Sequence, residues 1–350
     1  MTPRRYSPRR GGDAALELWS DIDPQGRLLA AQTTSARATA TYNLVDGPGQ
    51  PPRSIAAPAF KSLQPDGSTS PTWSFTGDGR LLWRNQPGSV LFDGRVTDLD
   101  GSGSIPLQES FDGIQFQGRF GIVRSRSAWV EGGRAWFELT TSSNDSLKNP
   151  VELVSLYSAD LTDPQKLRAE TPKDALEIDV SHGEATWVDA TGTKVFAEDL
   201  ATGAQHQVPV PLLKGCQMEP PSAYFGESSR LVQTNGDLVA VNELCEGGEG
   251  AHVVVSDLSG SLVTEVDPGP GNSVLSVDLG ESTLTFAALT PFTWYTDDLT
   301  TGRLVELGDV GSDGVHHPFL GNDDTSSSRS AGRYVLWYDA DGGHVGEFTG

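Results

Sequence analysis

Cysteine and methionine are nearly absent from this chain, which holds 2 of each in 350 residues. That scarcity excludes a disulfide-dense small scaffold and leaves material for one bridge at most. Cations are also sparse: Lys and Arg total 25 against 47 Asp and Glu, a formal charge of -22. A surface of that sign repels phosphate backbones, so nucleic acid is not an expected partner. No apolar run approaches the roughly 18 residues of a membrane-spanning helix, so no transmembrane segment is read in this chain. The nucleophile elbow GxSxG, the HExxH zinc motif and a glycine-rich phosphate loop are all missing. So is a Ser-x-Asp-x-Gly-x-Thr-Trp box, which argues against a sialidase. Acidic residues are so numerous that local spacing singles out no carboxylate pair for glycoside hydrolysis.

The first ten residues, MTPRRYSPRR, run against the acidic trend. GGDAALELWS follows them in place of an apolar stretch, so no signal peptide is read. Residues 1–12 are expected to form a disordered basic tail, and 13–350 a single domain.

What the chain has in abundance is punctuation, with 40 Gly and 22 Pro. These residues separate short strand-like stretches. A phrase recurs between them: an apolar run, Asp-Leu, a small-residue turn, then a second short strand. It reads VTDLDGSGSIPL from Val96, YSADLTDPQKL from Tyr157, FAEDLATGAQHQV from Phe196, VVSDLSGSLVTEV from Val254 and WYTDDLTTGRLVEL from Trp294. A looser copy, YNLVDGPGQPPRSI, starts at Tyr42. Around the central copy, Glu177–Val210 breaks into four β-like stretches at His182-Gly183, Thr191-Gly192 and Thr202-Gly203. Four strands joined by tight turns form one antiparallel meander.

A single meander cannot bury both faces, whereas a ring of them can, with only short edges left open. The expected fold is therefore all-β, a β-propeller of four-stranded antiparallel blades. Seven units are read, at about 14–56, 70–109, 113–170, 175–212, 220–268, 272–309 and 315–350. The last stops after strands that match a second and third. If Ala14–Ser20 is borrowed to complete it, the count falls to six. An aromatic slot is assigned to the second strand of each unit: LLW at Leu81–Trp83, AWV at Ala128–Val130, TWV at Thr186–Val188, LTFAA at Leu284–Ala288 and LWY at Leu336–Tyr338. A large ring there suits a residue wedged between sheets.

Phrases such as WVDATGTKVFAEDLATG and YVLWYDADGGHVGEF resemble the TolB-like and WD-repeat-like propellers of bacterial, often exported, proteins. The resemblance spans nearly the whole chain. It implies the propeller fold, with binding as the commonest role. The Gly-His and Trp-Asp signatures of true WD repeats are absent, so eukaryotic scaffold behaviour does not carry over.

In a four-stranded blade, the entering connection and the second-to-third-strand loop leave on one face. Cys216 lies in such a connection and Cys245 in such a loop, so a disulfide between them is expected, and with it an oxidising, extracytoplasmic compartment. No CxxC or paired His accompanies them, and metal is not expected there. The same face gathers the irregular segments Ala57–Ser70, Thr141–Pro150, Leu244–Ala251 and Asp313–Ser330. Ligand binding is placed on it, with Asn144, Asp145, His316, His317, Asp323 and Asp324 as candidates.

One string fits the spacing of a twelve-residue calcium loop, with Asp98, Asp100, Ser102 and Glu109 as oxygen donors and Gly103 at the turn. Against this, its flanks are strands, Pro106 interrupts it, and it coincides with the Asp-Leu turn of the other units. An ordinary Asp/Gly hairpin is the competing reading, and no other cofactor is expected.

The innermost strands read PTWSF, ALEIDV and SVLSVDL, with Glu177, Asp179 and Asp278 as their few ionisable residues. The chain is accordingly expected to be a monomeric, non-enzymatic binding propeller for a protein or cell-envelope glycan. The alternative is a propeller glycosidase or polysaccharide lyase with its site at the central channel.

Overall fold

The computed structural model describes residues 15–34, 38–47, 49–60, 72–85, 93–107, 122–142, 153–172, 174–218, 231–245, 251–269, 272, 274–288, 293–309, 328–339 and 342–348. Every regular element among them is a β-strand, and the fold is an all-β propeller.

The strands pair with their chain neighbours in antiparallel meanders. The first is β1 (Ala15–Ile22), β2 (Leu28–Thr34), β3 (Ala38–Val45) and β4 (Arg53–Ile55). The second is β5 (Thr72–Phe75), β6 (Leu81–Asn85), β7 (Asp93–Thr97) and β8 (Ile105–Pro106). Next come β9 (Ile122–Glu131), β10 (Arg134–Ser142), β11 (Val154–Asp160) and β12 (Arg168–Ala169), then β13 (Ala175–Ser181), β14 (Glu184–Asp189), β15 (Val195–Asp199) and β16 (Ala204–Val208). A Val154–Ala175 bridge fuses these two meanders into one sheet. In the following sheet β17 (Cys216–Met218) and β18 (Val232–Thr234) both pair with β19 (Leu238–Cys245), which leads to β20 (Ala251–Asp257) and β21 (Leu262–Val266). The chain continues with β22 (Val274–Leu279), β23 (Thr283–Ala288), β24 (Thr293–Asp298) and β25 (Arg303–Asp309). It ends with β26 (Ser328–Ala331), β27 (Tyr334–Asp339) and β28 (Gly342–Glu347).

Burial falls from the inside of each blade outward. In β13, ALEIDVS is buried except for its last residue, whereas in β16, AQHQV, only Val208 is buried. Inner strands are covered on both faces by neighbouring sheets, so their sequence runs apolar instead of alternating.

The cores lie between consecutive sheets and follow them round. Leu29, Tyr42 and Leu44 of the first meander meet Trp73, Leu81 and Trp83 of the second. Phe60, in the connection between them, packs into the same cluster, with the Arg95 guanidinium 5.9 Å from its ring centroid. Trp136 and Leu156 meet Ile178 and Trp187, and Ala287 and Trp294 meet Val335 and Trp337. A further cluster joins Ile22, Leu28 and Val45 to Tyr334, Leu336 and Val345, so the last meander packs on the first and closes the ring. Gly26 marks that seam: it has φ of +77°, and a Cβ there would stand 2.6 Å from the Tyr334 ring. Only a residue without a side chain admits both the turn and the ring.

Two details differ from the sequence reading. Ala128–Val130 belongs to the long first strand β9, and Trp136 on β10 takes the second-strand aromatic position. The Gly132-Gly133 turn, with φ of +59° and +72°, divides the two strands later than the aromatic pattern alone suggests. Residues from Ala15 onward form β1, paired with β2 in the first meander, in agreement with the unit read from about residue 14. Cys216 and Cys245 are strand residues in direct register, not loop residues.

Candidate functional site

The recurring Asp-Leu phrase sits in the hairpin between the third and fourth strands of its meanders. Asp160 Oδ1 accepts the Thr162 N–H at 2.8 Å, Asp199 Oδ1 accepts the Ala201 N–H at 2.8 Å, and Asp257 Oδ1 accepts the Ser259 N–H at 2.9 Å. Asp298 does the same with Thr300 at 3.0 Å. Each carboxylate satisfies turn N–H groups, as short acidic side chains do. Hydroxyl donation from Thr162 and Ser259 holds Asp160 and Asp257 below the ordinary carboxylate range. For Asp199 the backbone N–H of Thr202 has the same effect.

The leucine has a separate task. Leu161, Leu200 and Leu299 donate their N–H groups to the carbonyls of Gly133, Gly183 and Ser282, in the first-to-second-strand turns. The phrase therefore ties the two hairpins at one end of a blade together.

Asp98 and Asp100 belong to this pattern. Asp100 Oδ1 accepts the Ser102 N–H at 2.8 Å, and the Ser102 hydroxyl lowers the Asp100 carboxyl below its ordinary range. Asp98 Oδ1 lies 3.7 Å from Arg80 Nε. Gly103 has φ of +65°, a conformation that favours glycine, and the Asp98 carboxylate folds over it, with Oδ2 2.6 Å from where a Cβ would stand. Glu109 lies outside the described residues, as do Asn144, Asp145, His316, His317, Asp323 and Asp324.

Among the described residues, four carboxylates of the innermost strands, Asp21, Glu177, Asp179 and Asp278, have partners across the blade boundary. Asp21 Oδ2 accepts the Phe75 N–H at 2.7 Å, Asp179 Oδ2 accepts the Thr234 N–H at 2.8 Å, and Asp278 Oδ2 accepts the Ser330 N–H. Gln233 Oε1 takes the Leu279 N–H at 2.9 Å from the same register position. Glu177 Oε2 accepts the Leu231 N–H at 2.6 Å, and Glu138 Oε1 the Ile178 N–H at 3.2 Å. In each pair a side chain on one blade caps the inner strand of the next. Sequence reading found Glu177, Asp179 and Asp278 but missed this job. The signal was the shared offset of Asp21, Asp179, Gln233 and Asp278 from the turns that follow them.

A denser acidic group lies at the start of β14. Glu184 is buried, opposite Asp199 and beside Glu198, and its Oε1 has no hydrogen-bond partner. Burial, then the Asp199 and Glu198 charges, push the Glu184 carboxyl up to about 7. Burial also raises Glu198, although it accepts a 2.9 Å hydrogen bond from Gln205. In the unfolded chain Glu184 ionises near pH ~4.3, so between that pH and about 7 the folded state holds the extra proton, and stability falls as pH rises across that window. Glu184→Gln is expected to raise stability by about 1–2 kcal/mol at pH 8, after allowance for solvent screening, and to change little below pH ~4. Urea denaturation of both proteins at the two pH values checks this, and an equal effect at both would refute it.

A further cluster surrounds the cysteines. Cys216 and Cys245 form a disulfide across β17 and β19, with Cα atoms 4.0 Å apart. Glu243, two residues before Cys245, is wholly buried. Its Oε2 accepts the Leu213 N–H at 3.1 Å, its Oε1 has no hydrogen-bond partner, and burial raises its carboxyl. His252 stands opposite Glu243 on β20, with its Nε2 3.8 Å from Asp267 Oδ1. The disulfide agrees with the sequence expectation. No helix among the described residues is long and apolar enough to cross a membrane.

No family model matches the chain, and no curated protein matches it. Solved structures do. An oligogalacturonate lyase in complex with manganese aligns at 8% identity and a TM-score of 0.59, over 99% of this chain and 96% of that one. An acylaminoacyl peptidase from Pyrococcus horikoshii aligns at 9% identity and 0.54, over 92% of this chain and 49% of that one. TolB from Acinetobacter baumannii aligns at 12% identity and 0.48, over 82% and 64%. At these identities the likeness is one of fold.

Proposed function

We propose that this chain is a non-enzymatic binding propeller of seven blades that works outside the cytoplasm and takes a protein or cell-envelope glycan on its loop-rich face. One observation carries the reading. Asp21, Glu177, Asp179 and Asp278 of the innermost strands, where a channel enzyme would keep its acid and base, are engaged with backbone N–H groups of the next blade. A carboxylate committed to holding two blades together is a poor general acid. The similar structures include a lyase and a peptidase, and likeness of fold does not choose between cleavage and binding. The disulfide supports an oxidising compartment.

The ligand contacts are assigned to Asn144, Asp145, His316, His317, Asp323 and Asp324. The test presents the purified protein to a glycan array and to solubilised envelope proteins, with glycan cleavage followed in parallel. Replacing these six residues by Ala is expected to weaken capture of the selected ligand at least ~10-fold, about 1.4 kcal/mol, while the melting curve is preserved. Release of shortened or unsaturated glycan products would overturn the reading in favour of a glycosidase or lyase. Unchanged capture by the variant would remove the site.

A further inference from the structure

The disulfide and Glu243 together form an arrangement that the binding role does not use. Cys216 Sγ, Cys245 Sγ and a Glu243 carboxylate oxygen all lie within 4.8 Å of one another. Strand geometry explains the grouping. Residues two apart on a strand share a face, so Glu243 and Cys245 point the same way from β19, and Cys216 stands in register opposite Cys245. Leu244, between them, points away and is partly exposed. Glu243 is fully buried, yet its Oε1 meets no hydrogen-bond donor. A bare buried carboxylate oxygen is costly unless something else occupies it.

We propose that the dithiol form of this protein holds one thiophilic divalent cation of the zinc class through Cys216 Sγ, Cys245 Sγ and the Glu243 carboxylate. In the disulfide form the two sulfurs are bonded to each other and neither is available as a thiolate. A dithiol reductant breaks the Cys216–Cys245 bond, is itself oxidised to a disulfide, and leaves two thiols on the protein. Binding of the cation then releases both thiol protons, and any proton on Glu243, to solvent. The donor set suits zinc, which takes thiolate sulfur at about 2.3 Å and carboxylate oxygen at about 2.0–2.2 Å in a tetrahedral shell. That geometry separates the sulfurs to about 3.8 Å, through rotation of the two side chains about Cα–Cβ. Two thiolates and a carboxylate offset the charge of the cation, and Glu243, with only one of its oxygens hydrogen-bonded, has lone pairs to give. Cys216 is only partly buried, which gives reductant and cation a way in.

The experiment titrates the intact protein with cobalt(II) under anaerobic conditions, once oxidised and once after reduction and removal of the reductant. The reduced protein is expected to take up one cobalt per chain, with a sulfur-to-cobalt charge-transfer band and tetrahedral visible bands, both abolished by zinc. The oxidised protein should show neither. Cys216→Ser and Cys245→Ser should each remove most of the charge-transfer intensity. Glu243→Gln should weaken binding at least ~10-fold with the two-sulfur signature kept. Circular dichroism of oxidised Glu243→Gln checks that the blade is intact. The proposal is overturned if the reduced protein gives no charge-transfer band. It is equally overturned if an intact Glu243→Gln binds cobalt as tightly as the native chain, because Glu243 is then not a ligand.

Discussion

Replacing Cys216 and Cys245 together by serine is expected to lower the stability of the protein by about 3–4 kcal/mol in a metal-free buffer. The bridge closes a segment of sequence separation 29, and chain entropy makes a closed loop of that size worth roughly this much. The segment includes β18, which contributes the inner-strand contacts of its blade, and β17, a three-residue strand at the edge of the sheet. Such a short strand has little to hold it in register without the bond. Urea denaturation of the variant and of the oxidised native protein, both with chelator, measures the difference. The reduced native protein should coincide with the variant. A difference below ~1 kcal/mol would mean that the blade is held without the bridge.

Asp179→Ala is expected to cost about 2–3 kcal/mol. Asp179 is buried, and its Oδ2 receives the Thr234 N–H at 2.8 Å across the boundary between two blades. Removing the carboxylate leaves that inner-strand N–H without its acceptor, and hydrogen bonds to charged groups are among the stronger ones. Asp179→Asn keeps an acceptor of the same shape and should recover at least half of the loss. Amide exchange at Thr234 should accelerate in Asp179→Ala well before global unfolding. If Asp179→Ala unfolds within ~0.5 kcal/mol of the native protein, the inter-blade hydrogen bonds are incidental to stability.

The same residue shows how far the sequence could be read. Asp179, Glu177 and Asp278 stand out in the apolar inner strands without any structure, because an acid in a run of buried residues needs a reason. Their reason lies about 50 residues away in the chain, on the next blade, where no local spacing points. Trp129 and Trp136 make a similar case. Both fit an aromatic second-strand slot, and only the Gly132-Gly133 turn decides that β9 extends to Glu131. The calcium-like string at Asp98 shares the hairpin turn of the other copies, with Arg80 and Ser102 beside its carboxylates, while its fourth donor, Glu109, lies outside the described residues.

By itself the sequence determined the repeat, and with it the antiparallel meanders and their closure into a ring. Hairpins are built from neighbouring residues, so turn chemistry such as Asp-Leu followed by Gly is sufficient to mark them. It also led to the expectation that Cys216 and Cys245 meet, although it placed both in loops where the structure pairs them in register on β17 and β19. Tertiary structure alone decided what the polar residues between blades do. It paired Asp179 with Thr234, left one oxygen of Glu243 bare beside the disulfide, and set Glu184 against Asp199 and Glu198. Hydrogen bonds and charges depend on distances of a few ångströms between residues far apart in the chain, and those distances exist only once the sheets have packed.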